Sequence, residues 1–420
     1  MRILFVAPYI PSLIRVRPYN LIRALVSAGH SVHLVALQPP EDHYASVDGL
    51  QAICEQVDVF PLSRARTLWN AFSALPTSVP LQAAYSHHPR AERHLQQLIN
   101  TGHYDVLHVE HLRGAVLASS VTGIPRVFDS VDSIAHLFEQ ASRLAPKLTQ
   151  RLVARMDLGR TRRFEGRMPL QFERTLVTSP SDAQALRRLA GGAAEGRVVI
   201  LPNGVDLEYF YPSGTPCEPA SILFSGKMSY HANSAAALYL ARDIMPRIWL
   251  QRPGTKLILA GKDPSPAVRE LGADPRVEVT GYVDDLRPYL SRATVAVSPL
   301  LYGAGIQNKV LEAMACGIPV VVAPRVCDAL RAQPGQELLV AENAERFAAH
   351  ALDLMSDPIA REELGQAGRR YVERHHNWLE IVQTLISVYE SIQSAPARPA
   401  PSPGSKPVRS PEPLPSDPRV

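Results

Sequence analysis

The segment Thr294–Val322, TVAVSPLLYGAGIQNKVLEAMACGIPVVV, constrains the fold of this 420-residue chain more than any other. It reads as a buried strand, a glycine-broken loop, a helix carrying Glu312, a Gly-Ile-Pro turn and a second buried strand. That order sets Gly303, Gly305 and the first helical turn at the carboxyl end of a parallel sheet, where open α/β folds bind ligands. Free amide N–H groups at a helix start favour a phosphate. Lys309 and Glu312 lie one turn apart, so one helix face offers a cation for phosphate and a carboxylate for hydroxyls. The pair suits a ligand that carries both phosphate and sugar.

Apolar strands alternate with amphipathic helices through both halves of the chain, as in parallel sheets covered on both faces. The first half predicts strands at Ile3–Ala7, Ser31–Leu37, Asp105–Val109, Arg126–Phe128, Thr175–Thr178 and Val198–Leu201, with a helix over Tyr19–Ser27. The second half predicts strands at Ser221–Ser225, Lys256–Ala260, Val277–Thr280, Thr294–Ser298 and Pro319–Val322, with a helix from about Asn233 to Trp249. The length allows two domains with separate cores. They are expected at 1–202 and 203–377, followed by a helix at 378–393 that crosses back toward the first domain. Proline crowds residues 394–420 with almost no apolar bulk, which predicts a disordered tail without an assigned role.

Apolar residues make up 46% and charged residues 20%, ordinary for a soluble globular protein. The net charge of +4 gives no reason to expect a nucleic-acid partner. Cys54, Cys217, Cys316 and Cys327 form no zinc-like spacing, which suits reduced thiols and a cytoplasmic location. The opening MRILFVAPYI, stopped by Pro8 and Pro11, reads as a first buried strand rather than a secretory segment. No uninterrupted apolar run approaches the ~20 residues of a membrane span.

RILFVAP, GHSVHLVAL, LPNGVDLEYF, LFSGKM, LILAGKDP, VEVTGYVDDLRPYL and GAGIQNKVLEAMACGIPVVV follow one another along the chain. In order and spacing they resemble glycosyltransferase family 4, whose GT-B fold sets two Rossmann-like, doubly wound domains across a cleft. The similarity spans residues 1–392 and is strongest from Val198 to Val322. GIQNKVLEAMA, together with DSVDS in the first half, is most similar to bacterial sugar transferases associated with exopolysaccharide synthesis.

The resemblance implies a nucleotide diphosphate sugar as donor, retention of the anomeric configuration, and neither cofactor nor metal. LEAMA puts Glu312 where the family's second motif glutamate bonds the nucleotide ribose. The first glutamate belongs eight positions earlier, near the reacting centre, where this chain has Ala304. The donor site is then expected to use Gly303, the amides of Gly305 and Ile306, polar contacts from Gln307 or Asn308, and Lys309. Lys227, after Gly226, takes the place of the family's arginine. Backbone amides do not depend on the lost carboxylate, and ammonium groups neutralise a leaving diphosphate as point charges.

On the first-domain side, Glu110 and His111 follow one strand, and Asp129 and Asp132 follow the next. All four are expected to face the cleft. His111 and Asp132 are, with Lys309, the catalytic candidates: the histidine to hold donor or acceptor, the carboxylate to steer the acceptor hydroxyl. The structural alternatives are a core-edge histidine and a helix cap at Asp132. Arg15 and Arg17 read as contacts to an anionic acceptor or as exposed charge. Pro202-Asn203-Gly204 reads as a tight turn with positive φ.

Residues 143–174 hold nine basic against three acidic residues. Lys147, Arg151 and Arg155 run beside Leu148, Leu152 and Met156, an amphipathic basic helix suited to an anionic membrane surface. The expected activity is sugar transfer to a hydroxyl acceptor, a glycan or lipid-linked glycan, at the inner face of the plasma membrane. The alternatives are a nucleotide-sugar epimerase of the same fold and a sugar-binding relative impaired by Ala304. A nicotinamide dehydrogenase is disfavoured, because no GxGxxG follows the first strand.

Overall fold

A computed structural model describes residues 1–12, 16–40, 46–119, 121–144, 148–214, 220–303 and 305–393. Arg15, Lys147, Cys217, Ala304 and the 394–420 tail lie outside the described residues. Seven strands form the first sheet: β1 (Arg2–Ala7), β2 (Ser31–Gln38), β3 (Gln56–Pro61), β4 (Val106–Glu110), β5 (Arg126–Val131), β6 (Arg174–Val177) and β7 (Val198–Ile200). Six form the second: β8 (Ser221–Ser225), β9 (Lys256–Ala260), β10 (Val277–Gly281), β11 (Val295–Ser298), β12 (Val320–Val322) and β13 (Leu339–Val340). Every pairing is parallel, in the orders β3-β2-β1-β4-β5-β6-β7 and β10-β9-β8-β11-β12-β13. The order reverses between β1 and β4 and again between β8 and β11. Loops leaving the strands at these reversals frame the crevice where such sheets bind ligands.

The two doubly wound α/β sheets expected from the sequence are present. β1 shows why the first one forms. Its alternate residues enter opposite cores, Ile3 and Phe5 on one face and Leu4 and Val6 on the other, which only a centrally placed strand requires. The helix Trp378–Gln393 covers the first of these faces with Trp378, Val382, Leu385 and Tyr389. Trp378 also explains Gly204: a Cβ there would come within 2.6 Å of the indole ring. The expected positive-φ turn is therefore corrected. Neither Asn203 nor Gly204 has positive φ, and the glycine is needed for close packing instead.

Candidate functional site

The second-domain part of the cleft grows from the β11 loop and the helix Asn308–Ala315. Gln307 precedes that helix in extended conformation, and its side chain caps none of the first amides. Val310 N donates to the Gln307 carbonyl at 2.9 Å, so the N–H groups of Asn308 and Lys309 and the positive end of the helix dipole are what the helix offers an anion. Lys309 Nζ donates to Asn233 Oδ1 at 2.6 Å and lies 4.2 Å from the Phe224 ring centroid. Asn233 Nδ2 in turn donates to the Lys227 carbonyl at 3.0 Å, which ties this lysine to the turn after β8. Gly226 leaves room for the arrangement, since a Cβ would stand 3.0 Å from both Asn233 Nδ2 and Lys309 Nζ.

Lys309 and Glu312 keep some contact with solvent, but their charged ends sit among protein atoms. Burial draws Lys309 down to about 7, opposed by the nearby Glu312 charge. Burial likewise pushes Glu312 up to about 7, opposed by Lys309. Among the described residues, the Glu312 carboxylate accepts no protein hydrogen bond.

Across the cleft, two backbone outliers aim the first-domain residues. His111, directly after β4, has φ +61, and Val131, the last residue of β5, has φ +65. For a β-branched valine this is a true outlier. Such conformations cost of order 1–3 kcal/mol and concentrate at functional sites. A register shift between Asp129 and Val131 in the β5–β6 pairing re-aims the chain at the same place.

The turn delivers Asp132 to the glycine loop of the second domain. Asp132 Oδ1 accepts from Thr178 Oγ1 at 3.1 Å, and a Cβ on Gly305 would overlap its carboxylate. With φ +69 as well, position 305 must be glycine on two counts. The Gly305 N–H is itself held by Asp182, which also accepts from Ser133 N at 3.0 Å and from Ser179 Oγ. Burial, reinforced by the Asp182 charge, raises Asp132; burial raises Asp182 too. Fully buried Glu165 anchors the segment after Asp132 through Ile134 N at 2.7 Å, Ala135 N at 3.1 Å and Ser133 Oγ at 3.0 Å. Gln140 Oε1 clamps the same loop, accepting from Gly303 N at 3.1 Å and Arg325 Nη1 at 2.7 Å.

A buried polar chain runs behind the cleft. Arg17 Nε donates to Asp129 Oδ2 at 2.8 Å and its Nη1 to Asn203 Oδ1 at 2.9 Å. Asn203 Nδ2 donates to Asn308 Oδ1 at 3.0 Å, at the start of the Asn308–Ala315 helix. On the far side, His108 Nε2 stands 3.8 Å from Asp129 Oδ2, and its Nδ1 bonds the Tyr389 hydroxyl at 2.8 Å. Burial pulls His108 down to about 4, so it is neutral, and the charge on Asp129 is matched by Arg17. Beside the glycine loop, Thr178, Pro202, Ile306, Leu330, Arg331 and Tyr371 line a cavity of about 330 Å³.

Two family models divide the chain as its sheets do. The one described as glycosyltransferase family 4 matches residues 15–209, and the one described as glycosyl transferases group 1 matches residues 219–357. The chain belongs to glycosyltransferase family 4. It is 27% identical over 323 residues to a D-inositol 3-phosphate glycosyltransferase of Nocardiopsis dassonvillei, covering 71% of this chain and 72% of that one. A second relative is a GDP-mannose-dependent monoacylated alpha-(1-6)-phosphatidylinositol monomannoside mannosyltransferase of Corynebacterium glutamicum, 26% identical over 211 residues. That match covers 46% of this chain and 55% of the relative, so the chain spans about half its length. Among solved structures, sucrose-phosphate synthase from Thermosynechococcus elongatus superposes with a TM-score of 0.68 at 21% identity, over 93% of this chain and 98% of that one. That likeness shows the shared GT-B fold.

Within this family-4 enzyme, Gly226, Gly303, Gly305, Lys309 and Glu312 gather on the second-domain side, with Asp132 reaching them from the first. Gln307 and Asn308 open the helix, and Asn308 faces Asn203 rather than open cleft. Ile306 is buried at the rim of the cavity. Lys227 is exposed, and the structure gives its ammonium no role. His111 lies at the carboxyl end of β4 in its strained turn, its Nδ1 accepting from Arg113 N at 3.2 Å.

Three expectations need correction. Asp129 and Glu110 do not face the cleft: Asp129 is buried against Arg17, and Glu110 is buried and accepts from the Tyr9 hydroxyl at 2.7 Å. Arg17 is neither exposed charge nor an acceptor contact, because it lies in the helix Val16–Ser27 with 4% exposure. Asp132 caps no helix; Ser133 Oγ does so, accepting from His136 N at 3.2 Å. Sequence reasoning missed Asn233, Gln140 and Asp182 as loop-holding residues. None sits in a recognisable local pattern.

Proposed function

We propose that this enzyme moves a hexosyl group from a nucleotide diphosphate sugar to a hydroxyl of a lipid-linked glycan, with retention, in the synthesis of a bacterial exopolysaccharide. The observation that carries this reading is the Lys309–Glu312 face beside an open helix N-terminus, met by Asp132 across the cleft. Glu312, with no protein hydrogen bond of its own, receives the ribose hydroxyls. Lys309 and the helix N-terminus balance the charge that develops on the leaving diphosphate, so no metal is called for. Asp132 sits against Gly305, beside the position where the motif glutamate is replaced by Ala304. It serves the reacting centre in that residue's stead, and His111 orients the acceptor or the sugar. Contact between the two domains at this point excludes water and limits donor hydrolysis.

Two surface features support a lipid-linked acceptor. The helix Leu148–Gln171 exposes Leu148, Leu152 and Met156 beside Arg151 and Arg155. The helix Arg64–Ser73 exposes Leu68, Trp69 and Phe72, and Arg160 of the longer helix holds the segment that follows it through the Thr77 carbonyl at 3.1 Å. Among the described residues no helix is long and apolar enough to cross a membrane, so this basic, apolar face would lie on the surface of an anionic one at the inner side of the plasma membrane. The Corynebacterium relative, named for a phosphatidylinositol-linked acceptor, is consistent with that.

The test is donor turnover with UDP- and GDP-hexoses, with and without a polyprenyl-diphosphate oligosaccharide. Transfer that requires the acceptor, with the anomeric configuration kept in the product, supports the proposal. Interconversion of the donor sugar without acceptor would replace it with the epimerase reading.

A further inference from the structure

A cluster outside the cleft carries its own chemistry. His33 lies on β2, Asp58 on β3 and His94 on the helix Pro89–Thr101. Both histidines direct Nε2 at the same oxygen, Asp58 Oδ2, from 2.9 Å and 2.6 Å. One ligand atom from each residue lies within 4.8 Å of the other two. β2 and β3 pair with Val35 opposite Asp58, so His33 and Asp58 are diagonal neighbours on one face of the sheet.

We propose that His33, Asp58 and His94 form a binding site for a borderline divalent cation of the Zn²⁺ class, with a water as fourth ligand. Two imidazole nitrogens and one carboxylate oxygen are a usual three-ligand set for Zn²⁺. Zn–N and Zn–O bonds of about 2.0–2.2 Å place tetrahedral ligand atoms about 3.3 Å apart, so the cluster needs to open by only about 0.5 Å.

The surroundings are built as metal sites are. His33 is 1% exposed, and its other ring nitrogen bonds the Tyr104 hydroxyl at 2.6 Å, the outer contact that fixes a ligating imidazole. The second Asp58 oxygen accepts from Gln56 Nε2 at 2.9 Å. The His94 ring packs against Phe60, with centroids 5.4 Å apart. Asp58 and His94 keep 20% and 31% exposure, which leaves one side open for the ion and its water. On binding, each imidazole presents its Nε2 lone pair. The proton there shifts to Nδ1, where His33 donates it to the Tyr104 oxygen, so a neutral ring needs no net proton release.

Five residues, about 16 Å, separate His33 from the cleft end of β2. The ion would staple the edge strand β3 and the Pro89–Thr101 helix to the sheet rather than enter sugar transfer. The spacings of 25 and 36 residues between the three ligands belong to no local motif.

The test uses the tag-free, chelator-treated full-length chain, titrated with zinc sulfate by calorimetry and with Co²⁺ by visible absorption. The expected result is one site per chain, a tetrahedral Co²⁺ spectrum without thiolate bands, and a raised melting temperature. Affinity should fall more than about 100-fold in His94→Ala and in Asp58→Asn, and about tenfold in Tyr104→Phe. Circular dichroism checks each variant, with His94→Gln as the substitute if His94→Ala does not fold. Equal affinity of wild type and both variants, thiolate bands, or no zinc-dependent change in wild type would overturn the proposal and leave a hydrogen-bonded triad.

Discussion

Replacing Asp129 by asparagine keeps the side chain's shape but removes the charge that balances Arg17. Both residues are almost wholly buried, at 0% and 4% exposure, and their contact is 2.8 Å. Arg17 would retain its bonds to the Pro202 carbonyl and to Asn203 Oδ1, both neutral acceptors. Breaking a buried pair by removing one partner costs about 3–5 kcal/mol, because the other charge is left uncompensated. For a domain of this size each kcal/mol is worth about 2–4 °C in Tm, so the first-domain transition should fall by on the order of 10 °C. Calorimetry of Asp129→Asn measures it directly. The double variant Arg17→Met/Asp129→Leu removes both charges and should recover much of that loss. A shift below about 2 °C in Asp129→Asn, or a double variant less stable than the single one, would refute the assignment of Arg17 as a buried counter-charge.

Two further outcomes follow from the cleft and one from the basic surface helix. The neutral fraction of Lys309 grows as pH rises through about 7, so donor diphosphate must bring a proton with it at higher pH. Affinity should therefore fall above pH 7, approaching about tenfold per unit, and Lys309→Met should remove this fall and leave only the titration of Glu312. Gly305→Ala places a methyl against the Asp132 carboxylate in a left-handed conformation worth about 1–2 kcal/mol against alanine. Transfer should drop sharply, and adding Asp132→Ala should lower it little further; full activity in Gly305→Ala would contradict the contact. Arg151→Glu/Arg155→Glu should weaken sedimentation with phosphatidylglycerol vesicles at least 30-fold, at about 1 kcal/mol per lost basic residue, and unchanged sedimentation would remove the membrane face.

The fold was legible where strands are uniformly apolar. β1, β4, β8 and β11 are buried runs bounded by turns. β3, QVDVFP, escaped because it is a half-exposed edge strand with polar residues, and β13 because two residues carry no period. In the candidate site, the placing of Gly305, Lys309 and Glu312 on one loop and helix was readable because these elements lie together in the chain. Arg17 was misread because its counter-charge is 112 residues away and a loop arginine looks exposed. The approach of Asp132 to Gly305 depends on the strained Val131 and on how the two sheets meet, neither of which leaves a local signature.

The central claim is that the Asn308–Ala315 helix, through Glu312 and Lys309, holds a nucleotide diphosphate sugar. Thermal stabilisation by a panel of nucleoside diphosphates and nucleotide sugars, wild type beside Glu312→Ala, tests it most directly. A ligand that binds only the folded state adds about 2.7 kcal/mol at one hundred times its Kd. The account predicts a clear rise in Tm with one nucleotide class in wild type and its loss in Glu312→Ala. Stabilisation that survives Glu312→Ala unchanged, or none with any nucleotide, would contradict it.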